Sequence, residues 1–152
     1  EGPLGGFRLR EDSTRPVVLL AGGTGFAPIK SIVENAIATG LKRPMSLCWG
    51  SRDLAGLYQF DIARDWEVRL PGFRFVPVLS EAPASDAWTG RSGFAHHALM
   101  ADLPDLSGHE VYACGSPAMI DAARADLTAR CALPPEAFFA DAFSYSNDAG
   151  AA

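Results

Sequence analysis

Three short stretches of this chain carry residue types at spacings suited to holding a dinucleotide: Gly22-Gly23-Thr24-Gly25-Phe26-Ala27-Pro28, Gly50-Ser51-Arg52-Asp53, and Cys114-Gly115-Ser116-Pro117-Ala118-Met119. The first has the clearest chemistry. Its glycines let the chain turn tightly and bring backbone close to a phosphate with no Cβ in the way. The helix that follows presents N–H groups without intrahelical partners and the positive end of its dipole, which suits a pyrophosphate. Pro28 fits the first helical position, where the N–H it lacks would go unpaired. The spacing is not G-x-G-x-x-G, because Pro28 stands where the third glycine would be. Nor is it a Walker A loop, because Lys30 and Ser31 follow Ile29 rather than glycine. Taken alone, such a cluster reads equally well as ordinary turn chemistry.

In the second stretch, Asp53 is a carboxylate able to accept hydrogen bonds from a ribose diol. Arg52 beside it is able to stack on adenine or meet a 2′-phosphate. A polar turn with a surface ion pair accounts for the same residues. In the third stretch, Gly115 again permits close backbone approach and Pro117 again starts a helix. The Cys114 thiol is small and polarisable enough to lie under a nicotinamide ring, although a cysteine in a buried strand is more usually core packing. A fourth feature, Phe138-Phe139-Ala140-Asp141-Ala142-Phe143, brings an acid and aromatics together at a strand end, which is unusual for a solvated terminus. His96 and His97 are the one histidine pair. Neighbours on a helix point about 100° apart, so a solvated pair is the reading preferred over a metal-binding one.

These stretches need strand ends to hold them. Strands are expected at Val17–Ala21, Met45–Trp49, Phe73–Leu79, Val111–Cys114 and Ala137–Ala140, with Pro77 placing the third at an edge. Helices are expected at Ala27–Thr39, closed by Gly40, at Phe60–Leu70, from Gly93 to about Ala101 with Ser92 as its cap, and at Pro117–Cys131. Residues 80–90 read as a long loop. Regular alternation of this kind makes a parallel sheet with helices on both faces. Such sheets bind ligands at the carboxyl ends of their strands, where the strand order reverses. The first fifteen residues break the pattern, and Gly2–Leu9 read as a turn and strand belonging to something upstream.

Composition narrows the function classes. A chain of 152 residues, nearly half of them hydrophobic, suits one domain with a full core. The net charge of −5 and the scattered Lys and Arg argue against nucleic acid or an anionic membrane as the main partner. No apolar run approaches the ~20 residues that cross a bilayer, and no secretory signal is visible, so a cytoplasmic location is expected. Cys48, Cys114 and Cys131 are widely spaced and odd in number, which fits a reducing compartment without a disulfide framework or a cysteine-built metal cluster.

Taken in order, Gly22–Pro28, Trp49-Gly50-Ser51-Arg52, Cys114-Gly115-Ser116-Pro117 and Phe139-Ala140-Asp141-Ala142-Phe143 resemble the C-terminal pyridine-nucleotide domain of the ferredoxin–NADP⁺ reductase superfamily. Trp88-Thr89-Gly90-Arg91 and Tyr112-Ala113-Cys114-Gly115 bring the chain nearest to bacterial NADH-dependent oxygenase reductases and CDP-6-deoxy-Δ3,4-glucoseen reductase-like proteins. The resemblance implies an α/β, Rossmann-like, doubly wound sheet of five parallel strands in the order 3-2-1-4-5. It implies that residues 1–15 close an upstream flavin-binding barrel, that 16–146 form the NAD(P)-binding domain, and that 147–152 are a flexible tail.

By the same resemblance, Gly22, Gly23, Thr24, Gly25 and Pro28 take the pyrophosphate, with Thr24 bordering the nicotinamide. Gly50, Ser51, Arg52 and Asp53 take the adenosine. Cys114, Gly115, Ser116, Pro117 and Met119 form the floor under the nicotinamide, and Asp141 and Phe143 lie against a flavin. Thr24, Cys114 and Asp141 are the expected catalytic group, and no metal is expected in the domain. The implied function is hydride transfer from NADH to FAD, followed by passage of electrons to an iron–sulfur centre or an oxygenase. A 2Fe–2S domain elsewhere in the full-length protein is compatible with this, although no C-x₄-C-x₂-C occurs in the chain. NADH is expected over NADPH, because Arg52 stands alone beside Asp53 where a 2′-phosphate wants converging cations. The competing class is a stand-alone NAD-binding sensor without turnover, which has no reason to keep Asp141–Phe143. An α/β hydrolase is set aside for lack of a G-x-S-x-G elbow.

Overall fold

Strands and helices alternate from Val17 to Ala142 within residues 7–142, the part of the chain that the computed structural model describes. In chain order the elements are β1 (Val17–Gly22), α1 (Phe26–Thr39), β2 (Met45–Ser51), α2 (Phe60–Arg69), β3 (Phe73–Leu79), β4 (Arg91–Ser92), α3 (Ala95–Asp102), β5 (Glu110–Gly115), α4 (Pro117–Arg130) and β6 (Phe138–Ala142). Every strand pairing is parallel, and the sheet runs β4-β3-β2-β1-β5-β6. The chain steps outward from β1 to β4, then returns to the other side of β1. The order therefore reverses between β1 and β5, which is where an open α/β sheet has its ligand crevice.

Both faces of β1 are buried, which is why its sequence has no polar alternate. Val17, Leu19 and Ala21 pack with Ile29, Ile32 and Val33 of α1 and with Trp66 of α2. Val18 and Leu20 face the other way, onto Leu99 of α3 and Ile120 and Leu127 of α4. The spacing Ile29, Ile32, Val33, Ala36 gives α1 its one apolar stripe. Gly40 ends that helix in the left-handed region at φ 69°, with its N–H returned to the carbonyls of Ala36 and Ile37.

Three local expectations are corrected. Among the described residues the sheet has six strands rather than five, because Arg91–Ser92 adds a two-residue strand beside Val78 and Leu79. Two residues carry no alternation, so this strand left no pattern to read. Pro77 lies in the part of β3 that β4 does not reach, which agrees with its edge position. Ser92, expected as a helix cap, belongs to β4 instead, and α3 starts after Phe94 with no side-chain cap. Helix α1 begins at Phe26, so Pro28 is its third residue rather than its first. It still lies in the turn whose N–H groups have no intrahelical partner.

At the amino-terminal ends of the strands, residues 10–15 are tied to the domain by a buried ion pair. The Arg43 guanidinium donates to the carbonyls of Arg15 (2.9 Å) and Arg10 (2.8 Å) and to Glu110 Oε1 (2.8 Å). The Tyr112 hydroxyl donates to the same oxygen at 2.8 Å and accepts the Arg10 N–H at 2.9 Å. Among the described residues, no helix is long and apolar enough to cross a membrane.

Candidate functional site

A cavity of about 670 Å³ opens at the carboxyl ends of β1, β2 and β3, between the loop that leads into α3 and the start of α4. That volume is in the range of small-molecule sites. Its wall at β1 is the glycine loop. Gly23–Gly25 form one 3₁₀ turn that runs directly into α1. Gly23 has φ +53°, and a Cβ there would meet nothing within 4 Å, so the backbone conformation rather than crowding requires glycine. Gly25 is the reverse case. A Cβ on it would lie 2.7 Å from the Cys114 carbonyl carbon and closer still to the oxygen. Glycine at 25 is what lets the loop lie flat against the end of β5.

The loop is held from beneath by aromatics. The Trp49 indole N–H donates to the Gly23 carbonyl at 3.0 Å. Phe26 stacks on Trp49 at 4.0 Å, and Tyr58 meets both rings edge-on. The two helices that start at the cavity differ in their ends. Helix α1 has no side-chain cap; the 3₁₀ turn Gly23–Gly25 leads straight into it, and it is Gly22 and Gly23, ahead of the helix, that line the cavity. Helix α4 has Pro117 at its start, and Ser116 Oγ accepts the Met119 N–H at 3.1 Å. The Met119 side chain crosses between two strand ends. Its sulfur is 2.9 Å from where a Gly115 Cβ would stand and 3.6 Å from the corresponding point on Gly22.

Of the expected residues, Gly22, Gly23, Gly50, Ser51, Arg52, Ser116 and Met119 line the cavity. Gly25, Pro28, Cys114 and Gly115 are buried behind it. Burial pushes the Cys114 thiol up to about 12, with the Asp141 carboxylate adding to the effect, so no thiolate forms near neutral pH. Asp141 is the direct neighbour of Cys114 across the β5–β6 ladder. Asp53 turns into its own loop, where Oδ1 accepts the Gly56 N–H at 3.1 Å. Arg52 is exposed and lies 3.6 Å from Glu81. The Thr24 backbone belongs to the glycine turn, while the Thr24 side chain and the whole of Phe143 lie outside the described residues.

The structure adds Ser80, Phe94, His96, His97 and Asp126 to the lining. Phe94 is 60% exposed and presents an aromatic face, with the His97 ring edge-on at 5.7 Å. The preference for a solvated histidine pair is corrected for one member. His96 is buried, with Nε2 2.9 Å from Asp126 Oδ2 on the neighbouring helix α4. Burial lowers its pKa from 6.5, against the raising effect of the Asp126 hydrogen bond, so the ring is neutral at pH 7. The available signal was Trp88-Thr89-Gly90-Arg91. The Trp88 indole donates to the Arg91 carbonyl at 2.8 Å, and Arg91 donates to both carboxylate oxygens of Asp102 at 2.8 Å. These bonds fix the segment that carries Gly93 and Phe94 to the cavity.

Residues 19–125 match the family described as the oxidoreductase NAD-binding domain. The chain is 48% identical over 143 residues to the CDP-6-deoxy-L-threo-D-glycero-4-hexulose-3-dehydrase reductase of Yersinia pestis, covering 94% of this chain and 42% of that protein. It is 34% identical to an NAD(P)H-flavin reductase of Vibrio harveyi, over 95% of this chain and 60% of that one. The cytochrome P450 reductase GcoB of Amycolatopsis superposes with a TM-score of 0.82 at 38% identity, over 93% of this chain and 42% of that structure's chain. The chain thus spans only 42–60% of the length of these relatives.

Proposed function

The chain belongs to the oxidoreductase NAD-binding domain family of ferredoxin-reductase-like flavoenzymes, and from that premise we propose that it is the nucleotide-binding part of a reductase. The whole protein would take a hydride from NADH onto FAD carried by an adjoining domain, then pass electrons to an iron–sulfur centre or an oxygenase. The observation that carries this reading is the glycine turn at the end of β1, whose Gly22 and Gly23 line a ligand-sized cavity at the β1/β5 reversal.

The roles follow from position. Gly22 and Gly23, with Thr24 and Gly25 of the same turn, take the pyrophosphate. Gly50, Ser51 and Arg52 take the adenosine, with Phe94 as an aromatic face beside them; Asp53, turned into its own loop, serves as a ribose acceptor only through the oxygen it does not spend on Gly56. Met119 floors the nicotinamide end, and the neutral Cys114 thiol behind it gives a polarisable, unreactive support. The domain's share of the rate is positional, since it holds the nicotinamide in one orientation and keeps water from that face. FAD, when bound, supplies the hydride acceptor. The described residues fit a flavin as its border rather than its holder. Edge strand β6 brings Asp141 beside Cys114 at the sheet's end, and Thr24 and Phe143 belong to the same proposed border. A sensor without turnover has no use for that edge.

NADH is the proposed partner over NADPH. Arg52 is the one lysine or arginine lining the described cavity, and Glu81 and Asp53 stand near it. A 2′-phosphate dianion would meet one cation and two carboxylates there. The test is calorimetric titration of the full-length protein with each nucleotide, followed by single-turnover reduction. Tighter NADH binding with flavin bleaching is expected. An NADPH preference overturns the nucleotide choice, and binding without bleaching favours the sensor.

A further inference from the structure

We infer that His96, His97 and Asp126 form a site for one divalent transition-metal ion of the zinc class, on the wall of the cavity where α3 meets α4. The ligand atoms of the three residues all lie within 4.8 Å of one another. His96 Nε2 is 2.9 Å from Asp126 Oδ2, and His97 Nε2 is 3.8 Å from that same oxygen. Around a tetrahedral ion with bonds of about 2.0–2.2 Å, neighbouring ligand atoms stand roughly 3.3–3.6 Å apart. The two separations from Asp126 Oδ2 bracket that spacing, and the two imidazoles offer their ligand atoms within 4.8 Å of each other. The adjustment needed falls on His97, whose side chain is 55% exposed and free to turn.

Adjacent helical histidines ordinarily diverge. Here both sit in the first turn of α3, with ring centroids 4.2 Å apart, and the third ligand comes from another helix. A plain hydrogen bond between α3 and α4 accounts for His96 and Asp126. It does not account for an exposed His97 that aims its nitrogen at the same oxygen. Two imidazoles and one carboxylate suit Zn²⁺, Co²⁺, Ni²⁺ or Cu²⁺, and not Mg²⁺ or Ca²⁺, which prefer all-oxygen shells. All three residues line the cavity. The site stands on its own geometry and does not rest on the nucleotide reading.

The test uses the tag-free, full-length protein, treated with chelator and titrated with Co²⁺ and then Zn²⁺. The expected result is one equivalent of Co²⁺ giving the visible absorption of a tetrahedral nitrogen–oxygen site, displaced by Zn²⁺. His97→Ala and Asp126→Asn should each weaken Zn²⁺ binding about tenfold or more in calorimetry. His97 is exposed, so His97→Ala keeps its circular dichroism and melting temperature and reads the site without a folding defect. Three results would overturn the inference: no visible band, unchanged Zn²⁺ affinity in both variants, or a new thiolate-to-cobalt band that places the ion on cysteine. NADH titration of the same samples separates a failure of this site from a failure of the nucleotide reading.

Discussion

At the amino-terminal end of the sheet Arg43 and Glu110 lie 2.8 Å apart with side chains 7% and 9% exposed, whereas at the carboxyl end Arg52 and Glu81 lie 3.6 Å apart and are 81% and 65% exposed. The first pair is closed. Its guanidinium hydrogens go to two carbonyls and a carboxylate, and the carboxylate is also held by Tyr112. The second pair is open to solvent, where an ion pair is worth ~0–1 kcal/mol. One end spends its charge on holding residues 10–15 in place, and the other leaves its charge free to be exchanged for a ligand. The glycines divide in the same way: Gly23 faces open space, and Gly25 is wedged against β5.

The comparison is broken most directly by Arg43→Ala. It strands a buried Glu110 carboxylate and should cost about 3–5 kcal/mol in urea unfolding. Arg52→Ala should stay within about 0.5 kcal/mol on the same assay. Equal losses would mean that the two ends do not differ.

Next comes Gly25→Val. It drives a side chain into the Cys114 carbonyl, so about 1–3 kcal/mol of stability should be lost, together with at least about tenfold in NADH affinity by calorimetry. Gly108→Ala is the matched control, because a Cβ there meets nothing within 4 Å. An unchanged affinity in a folded Gly25→Val protein would remove the loop from the site.

A smaller effect sharpens the cavity side. Cys114→Ala should slow single-turnover flavin reduction several-fold, up to about tenfold, in the flavin-containing protein. Cys114→Ser, closer in volume, should lose less. Cys48→Ala, equally buried but within β2, should lower stability without slowing the step. If Cys114→Ala matches wild type, the thiol is packing alone.

The smallest effect is a pH dependence at the closed end. Burial raises the Glu110 pKa, but hydrogen bonds from Arg43, Ser13 and Tyr112 and the Arg43 charge outweigh it and hold the group below 4.5. A carboxylate depressed in the folded state contributes stability above its unfolded value, and that stability is lost as pH falls through the lower folded value. The stability gap between wild type and Glu110→Gln should therefore be full above about pH 4.5 and narrow in more acid solution. A gap that does not change with pH in urea titrations would show that Glu110 acts through packing alone.

Much of this molecule is written locally. The strands and long helices were legible to within a few residues, because burial on both faces strips polar residues from β1 and because glycine and proline punctuate the turns. The helix start at Pro117 followed from the same marks, while the strand order with its β1/β5 reversal was implied by the family resemblance. Three features were not legible. β4 is two residues long and exists only because β3 offers it an edge. Phe94 and His96 sit in a segment with no period, and their place depends on Arg91 reaching Asp102. Gly25 read as an approach to phosphate, while its nearest obstacle is a carbonyl at Cys114, far along the chain.

By itself, then, the sequence determined the alternation of elements, the parallel sheet and the strand ends that carry glycine, because each depends on neighbours within a turn or two. Only the tertiary structure decided what those ends touch. It set Gly25 on β5 and brought His96 and His97 of α3 to Asp126 of α4. It also closed Arg43 over Glu110. Such contacts join residues whose separation along the chain carries no periodic signal, and their energies depend on burial that exists only once the sheet has formed.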